Sequence, residues 1–219
     1  MKPIIALNLK TYPESLGKKG ADLCQIASEV SLLTGVRIIV APQTVDLREA
    51  VQISGDIFAQ HVDAAAQGAF TGSISVESIK EAGCKGSLVN HSEKRLPELT
   101  VAETVARLKE AELESILCTK DTAESAKLAA YEPTFIAVEP PELIGKGVSV
   151  STAKPEIVSG TVEAVAKVND TPVLCGAGVS NGRDVKKAIE LGAAGVLLAS
   201  AYVKSRDPKR LLTEMAEAI

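Results

Sequence analysis

The sequence predicts an α/β fold, a single-domain (β/α)8 barrel of eight parallel strands spanning residues 1–219. Three observations predict it. Short apolar runs rich in Val, Ile and Leu recur along the whole chain, and they are continuous rather than alternating, as expected of parallel strands covered on both faces. Stretches with the three-and-four spacing of packed helices lie between them, so strand and helix alternate as in βαβ units. Most of the apolar runs end in a polar residue or a glycine-rich turn, the position where barrels of this kind gather their chemistry.

The eight strands are read at 3–7, 36–41, 57–60, 86–90, 115–118, 134–138, 172–175 and 195–198. Leu23, Ile26, Ala27 and Val30 form the buried face of the first helix. Val158, Val162 and Val165 repeat the pattern behind a Ser151/Thr152 cap and Pro155 in the first turn. The last helix starts at Asp207-Pro208 and buries Leu211, Leu212 and Met215. An open nucleotide-binding sheet would carry G-x-G-x-x-G after its first strand. Here that strand runs into Asn8-Leu9-Lys10-Thr11, with no glycine before Gly17. Typical barrels run to about 250 residues, so this is a trimmed one. No linker-like shift in composition divides it.

A hydrophobic content of 46% with 24% charged residues supports a substantial core. A net charge of -4 and scattered Lys and Arg argue against a nucleic-acid partner. Cys24, Cys84, Cys118 and Cys175 form no C-x-x-C pair and have no histidines at zinc spacing, so reduced, buried thiols and no metal are expected. The chain opens without a signal peptide and has no apolar run near the ~20 residues of a membrane span, which points to a cytoplasmic protein with no membrane partner.

The strand ends give a short set of candidates: Asn8 and Lys10, Gln60 and His61, Asn90 and His91, and Glu139. Asn90-His91-Ser92-Glu93-Lys94-Arg95 is the densest ionisable cluster, and His91 is one of two histidines. Histidine handles protons near neutrality, while the plain alternative is a Ser92-capped helix with a solvated first turn. Glu-Pro occurs twice, but only Glu139 falls at the carboxyl end of the sixth strand. Glu132 precedes that strand and reads as a bottom-face residue. The segment 140–147, proline-rich at one end and glycine-rich at the other, has the form of a gating lid. Gly176-Ala177-Gly178 after strand seven and Ala199-Ser200 after strand eight stand where barrels frequently bind phosphate through backbone N–H groups.

Asn8-Leu9-Lys10, His91-Ser92-Glu93, Glu139-Pro140 with Ile144-Gly145-Lys146-Gly147, and Gly68-Ala69-Phe70-Thr71-Gly72 occur in order along the whole chain. Together they resemble the triosephosphate isomerase family, in particular its compact archaeal branch. The resemblance implies cofactor-free interconversion of dihydroxyacetone phosphate and glyceraldehyde 3-phosphate, a step of glycolysis and gluconeogenesis. It implies Glu139 as the base, and His91 as the electrophile, kept neutral by a helix starting near Ser92. It also implies Lys10 as the electrostatic stabiliser, Asn8 as a substrate-orienting residue and Glu93 as support for the lysine. Gly145, Gly178, Ala199 and Ser200 would bind the phosphate. Thr71 would reach a neighbouring subunit's site in a homo-oligomer, a tetramer by preference and a dimer as the alternative.

The chain departs from the family pattern at four places. Leu9 and Glu142 replace tryptophans, Gly178 replaces a common serine, and Ala199-Ser200 replaces a glycine pair. The last two affect phosphate contacts rather than the reaction. Two other readings of the residues stay open at this point: a Schiff-base aldolase, which needs a neutral strand-end lysine, and a non-catalytic phosphosugar-binding barrel.

Overall fold

The computed structural model describes residues 2–140 and 149–219. Gly145 and most of the candidate lid therefore lie outside the described residues. All eight expected strands are present: β1 (Ile4–Asn8), β2 (Arg37–Ala41), β3 (Phe58–Ala59), β4 (Gly86–Val89), β5 (Glu114–Thr119), β6 (Phe135–Val138), β7 (Val173–Cys175) and β8 (Gly195–Leu198). They pair in parallel in the order β2-β1-β8-β7-β6-β5-β4-β3. One seam remains, between β2 and β3, where a single bridge joins Val40 to Ile57. Asp56 stitches that seam twice. Its carbonyl accepts the Val40 N–H at 2.9 Å, and its carboxylate takes Arg37 at 2.7 Å while Arg37 also holds Glu114 at 2.5 Å. The expected (β/α)8 architecture is thus borne out as a nearly closed barrel.

The helices that cover it are α1 (Lys18–Thr34), α2 (Leu47–Ile53), α3 (Val76–Ala82), α4 (Glu98–Glu110) and α5 (Thr122–Ala129). They continue as α6 (Val150–Ala153), α7 (Pro155–Ala166), α8 (Gly182–Glu190), α9 (Ser200–Val203) and α10 (Pro208–Ala216). Among the described residues no helix is long and apolar enough to cross a membrane. The strands feed two separate layers. Ile4, Ala6, Leu88, Ile116, Phe135, Ala137, Leu174 and Leu197 point inward and fill the barrel, while their neighbours Ile5, Leu7, Val89, Leu117 and Val196 point outward under the helices. That is the period-two alternation of a pleated strand.

Two local expectations need correction. Ser151 and Thr152 do not cap α7. They sit inside the one-turn helix α6, and Lys154 occupies the cap position before Pro155. The buried hydroxyl of Ser151 instead donates to the Asp184 carbonyl at 3.1 Å. Likewise, no helix begins at Ser92. Residues 92–94 form a turn closed by the Lys94 N–H on the His91 carbonyl at 2.8 Å, and α4 starts only at Glu98.

Gly195 opens β8 against β1 so closely that a Cβ would stand 2.1 Å from the Ile4 carbonyl oxygen, at φ +145°. Gly195→Ala should therefore cost about 3 kcal/mol of stability or more through strain and displaced strand pairing. Gly160, inside α7 with nothing within 4 Å of a Cβ, should gain roughly 0.5–1 kcal/mol as alanine. Denaturant unfolding of both variants checks the pair, and a Gly195→Ala protein as stable as the native chain would contradict the packing. All four cysteines are free and buried. Burial raises Cys24 and Cys175 to about 12, raises Cys84 to about 11 and pushes Cys118 well above the ordinary thiol value. Because the thiolate is the reactive form, none should react with a disulfide reagent at pH 8 until the chain unfolds. Rapid titration of any thiol in the native state would contradict this.

Candidate active site

Strand alternation delivers three groups to the carboxyl-end mouth. In β1, Ile4 and Ala6 point inward, so Asn8 follows them. In β6, Phe135 and Ala137 point inward, so Glu139 follows. In β7, Leu174 points inward, so Gly176 follows. Asn8, Lys10, His91, Glu139, Gly178, Ala199 and Ser200 all line one cavity of about 340 Å³. Residues from five strands, distant in sequence, thus meet in one mouth.

His91 arrives there by a different route. The alternation of β4 places Leu88 inward and Val89 outward, which would leave His91 facing outward. Asn90 takes the left-handed conformation, φ +59°, and breaks the alternation. Its side chain is stapled on both sides: Nδ2 donates to the Cys118 carbonyl at 3.0 Å and Oδ1 accepts the Leu96 N–H at 2.9 Å. Arg95, expected at the surface, also donates to the Cys118 carbonyl, at 3.1 Å. Ser92 Oγ has no hydrogen-bond partner among the described residues, so it caps nothing. The turn does supply one polar contact that matters. The Glu93 N–H donates to His91 Nδ1 at 3.2 Å, which makes Nδ1 an acceptor and assigns the ring proton to Nε2.

Nε2 faces Glu139 Oε1 across 3.6 Å, and both residues are buried. The Glu139 N–H is fixed on the Thr119 carbonyl at 2.7 Å. Beneath the carboxylate lies the Cys118 thiol, held protonated by burial and by the Glu139 charge. Oε2 of Glu139 is buried and has no hydrogen-bond partner among the described residues. The side chain passes directly over Gly176, where a Cβ would stand 2.5 Å from Glu139 Cγ. Gly176 is glycine because the acid needs its space.

Lys10 also has a positive φ, +49°. Asn8 Oδ1 accepts its N–H at 3.0 Å, and the Lys10 ammonium donates to Glu93 at 2.8 Å. Glu93 is mostly exposed, so this pair is screened and orients the lysine more than it stabilises the fold. Gln60 completes the support: its amide donates to the Lys10 and Ala41 carbonyls, each at 3.0 Å. The turn after β7 is held by Asp184, whose carboxylate accepts the Ser180 N–H and hydroxyl, both at 2.9 Å, while Asn181 caps the Asp184 N–H at 3.1 Å. The N–H groups of Ser200 and Ala201, first in α9, have no carbonyl partner among the described residues.

The structure keeps apart what the sequence separated. Glu132 lies at the opposite end of β6, exposed and paired with Lys109. Thr71 stands on an exposed loop outside the cavity, with Phe70 53% exposed beside it. Among the described residues no group of three or more His, Cys, Asp or Glu side chains could hold a metal ion. Gln60 is among the strand-end candidates and Gly176 falls in the expected phosphate turn, but the sequence gives neither its structural role, and Asp184 is not among the candidates. The Asn181-x-x-Asp184 spacing, a capping box at a helix start, was the available signal for Asp184.

A sequence model of the triosephosphate isomerase family matches residues 3–218. The chain belongs to the triosephosphate isomerase family. It is 52% identical to the triosephosphate isomerase of Methanothermus fervidus over 98% of this chain and 97% of that one. It is 48% identical to that of Methanocaldococcus jannaschii over 99% and 100%, and 47% identical to that of Methanosarcina mazei over 99% of each. The family-derived residues Asn8, Lys10, His91 and Glu139 are thus also the ones that line the mouth.

The Gly176–Glu139 contact yields a test. Gly176→Ala should displace the carboxylate by a fraction of an ångström to an ångström and lower kcat about a hundredfold, with β7 still paired. Steady-state kinetics beside a thermal melt checks it, and native kcat in a folded variant would contradict the geometry.

Proposed function

We propose that this chain interconverts dihydroxyacetone phosphate and D-glyceraldehyde 3-phosphate by proton transfer through an enediolate, with no cofactor. The observation that carries this reading is the buried Glu139–His91 pair, with one carboxylate oxygen unpartnered among the described residues and the imidazole proton on Nε2. Glu139 removes the proton from the carbon next to the carbonyl. The C–H electron pair becomes the new C=C bond, and the carbonyl π pair moves onto oxygen. His91 Nε2–H meets that developing charge as a hydrogen-bond donor and moves a proton between the two oxygens. Glu139 then returns its proton to the neighbouring carbon. Lys10 supplies positive charge to the same intermediate, and Asn8 orients substrate oxygens. Gly178, Ala199 and Ser200 offer backbone N–H groups to the phosphate. The Lys10–Glu93 ion pair opposes the aldolase reading, which needs a neutral amine.

The same reading extends to a homo-oligomer, tetramer preferred, in which the 68–72 loop enters a neighbour. Phe70 on that loop and Val45 on the loop after β2 are 53% and 87% exposed. A second cavity of about 210 Å³ opens on the other side of Lys10 and Glu93, lined also by Gln60, His61 and Ile74. In this reading it is the cavity that a neighbour's Thr71 enters. The reaction's place in glycolysis and gluconeogenesis makes the cytoplasm its compartment.

A coupled assay on the native chain, Glu139→Asp and Glu132→Asp tests the assignment. Withdrawing the base by one methylene should lower kcat about a hundredfold or more, while Glu132→Asp stays near native. Equal losses at both glutamates, or an inactive native chain, would overturn it. Light scattering on Phe70→Asp tests the interface: smaller particles with reduced kcat are expected, and an unchanged mass would contradict the loop's role.

A further inference from the structure

The cavity holds a second cation that the proton chemistry does not use. Lys204 follows α9 and lines the same cavity as Lys10, Glu139, Gly178 and Ser200. Its ammonium lies 4.3 Å from the centroid of the Tyr12 ring, which lines the cavity from the loop after β1. Lys10 shares the cavity but is already engaged by Glu93. Lys204 has no carboxylate within ion-pair distance among the described residues, whereas the surface lysines Lys109, Lys127 and Lys209 each hold a glutamate.

A lysine resting on a π face is held by a weak attraction that an anion readily outcompetes. Its backbone, by contrast, is fixed. The Lys204 N–H donates to the Ser200 carbonyl at 3.0 Å, and the buried Tyr202 hydroxyl between them anchors α9 to the Leu23 carbonyl at 2.7 Å. The root of the cation and the N–H groups of Ser200 and Ala201, which have no carbonyl partner among the described residues, therefore belong to one short helix. Beside it, Gly178 offers a backbone N–H and no hydroxyl.

We infer that Lys204 is a binding residue for the substrate's phosphate dianion, with Tyr12 as the platform beneath its ammonium at the cavity wall. This rests on the triose-phosphate reading above and adds a residue to it. When a dianion enters, the four-carbon stem swings the ammonium off the ring and onto a phosphate oxygen, a charge-assisted contact that repays the lost cation–π attraction.

Inorganic phosphate is the probe, with binding followed by calorimetry and by competitive inhibition of isomerisation. Lys204→Met should weaken phosphate about three- to tenfold and raise KM for glyceraldehyde 3-phosphate by a similar factor. The change in kcat should be smaller. Lys204→Arg should restore both constants to within about twofold, because the charge and the stacking geometry survive. Tyr12→Leu removes an attraction that the phosphate must break, so it should bind phosphate as tightly as the native chain or up to about twofold more tightly. Phosphate affinity and KM unchanged in Lys204→Met would overturn the inference. So would a fall in kcat with unchanged phosphate affinity, the signature of a purely structural residue. If the native chain fails to isomerise triose phosphates, the functional reading falls, while calorimetry with phosphate alone still decides whether Lys204 binds the anion.

Discussion

In a parallel strand successive side chains point alternately into and out of the barrel, and this alternation decides what reaches the mouth. Asn8, Glu139 and Gly176 arrive there because Ala6, Ala137 and Leu174 fill the barrel two residues earlier. His91 arrives because Asn90 breaks the rule. A left-handed residue costs roughly 1–2 kcal/mol, least for Gly and Asn, and the two hydrogen bonds of the Asn90 side chain offset that cost. The kink thus has a fixed hand and a fixed angle. Without it the proposed acid–base pair would lie on two faces of the same wall.

The electrostatics follow from this placement. Glu139 is flanked by a protonated thiol, a glycine and the histidine, and among the described residues no lysine or arginine pairs with its carboxylate. His91 receives a backbone N–H on one nitrogen and presents its proton on the other. Two ammonium groups, on Lys10 and Lys204, line the same cavity as the carboxylate. Supporting contacts to Gln60 and Asp184 fix the loops that carry these groups.

Most of the barrel was legible in the sequence because strand burial and helix periodicity are local signals. The apolar runs marked all eight strands, and the polar residues closing them marked Asn8, Lys10, His91 and Glu139. The Ser92 helix was misread because a serine followed by charged residues has the composition of a capped first turn. What prevails there is tertiary: Asn90 bonds to the next strand and to Leu96, which closes a turn and delays α4 to Glu98. The α6 turn was misread for a similar reason, since Ser151 serves Asp184, 33 positions away, rather than its own helix. Gln60 is marked only by its place at a strand end, and Lys204 carries no local signal. A glutamine after a strand and a lysine after a short helix acquire meaning only when the barrel sets them beside Lys10 and Tyr12.

The Asn90 kink turns His91 inward with its proton on Nε2 and an acceptor at Nδ1. Nitrogen-15 NMR of the imidazole measures this most directly, in the native chain and in Asn90→Leu. The expected native spectrum shows a protonated Nε2 and an unprotonated, hydrogen-bonded Nδ1, and Asn90→Leu loses that pattern. A native imidazole carrying its proton on Nδ1, or an Asn90→Leu spectrum identical to the native one, would contradict the claim.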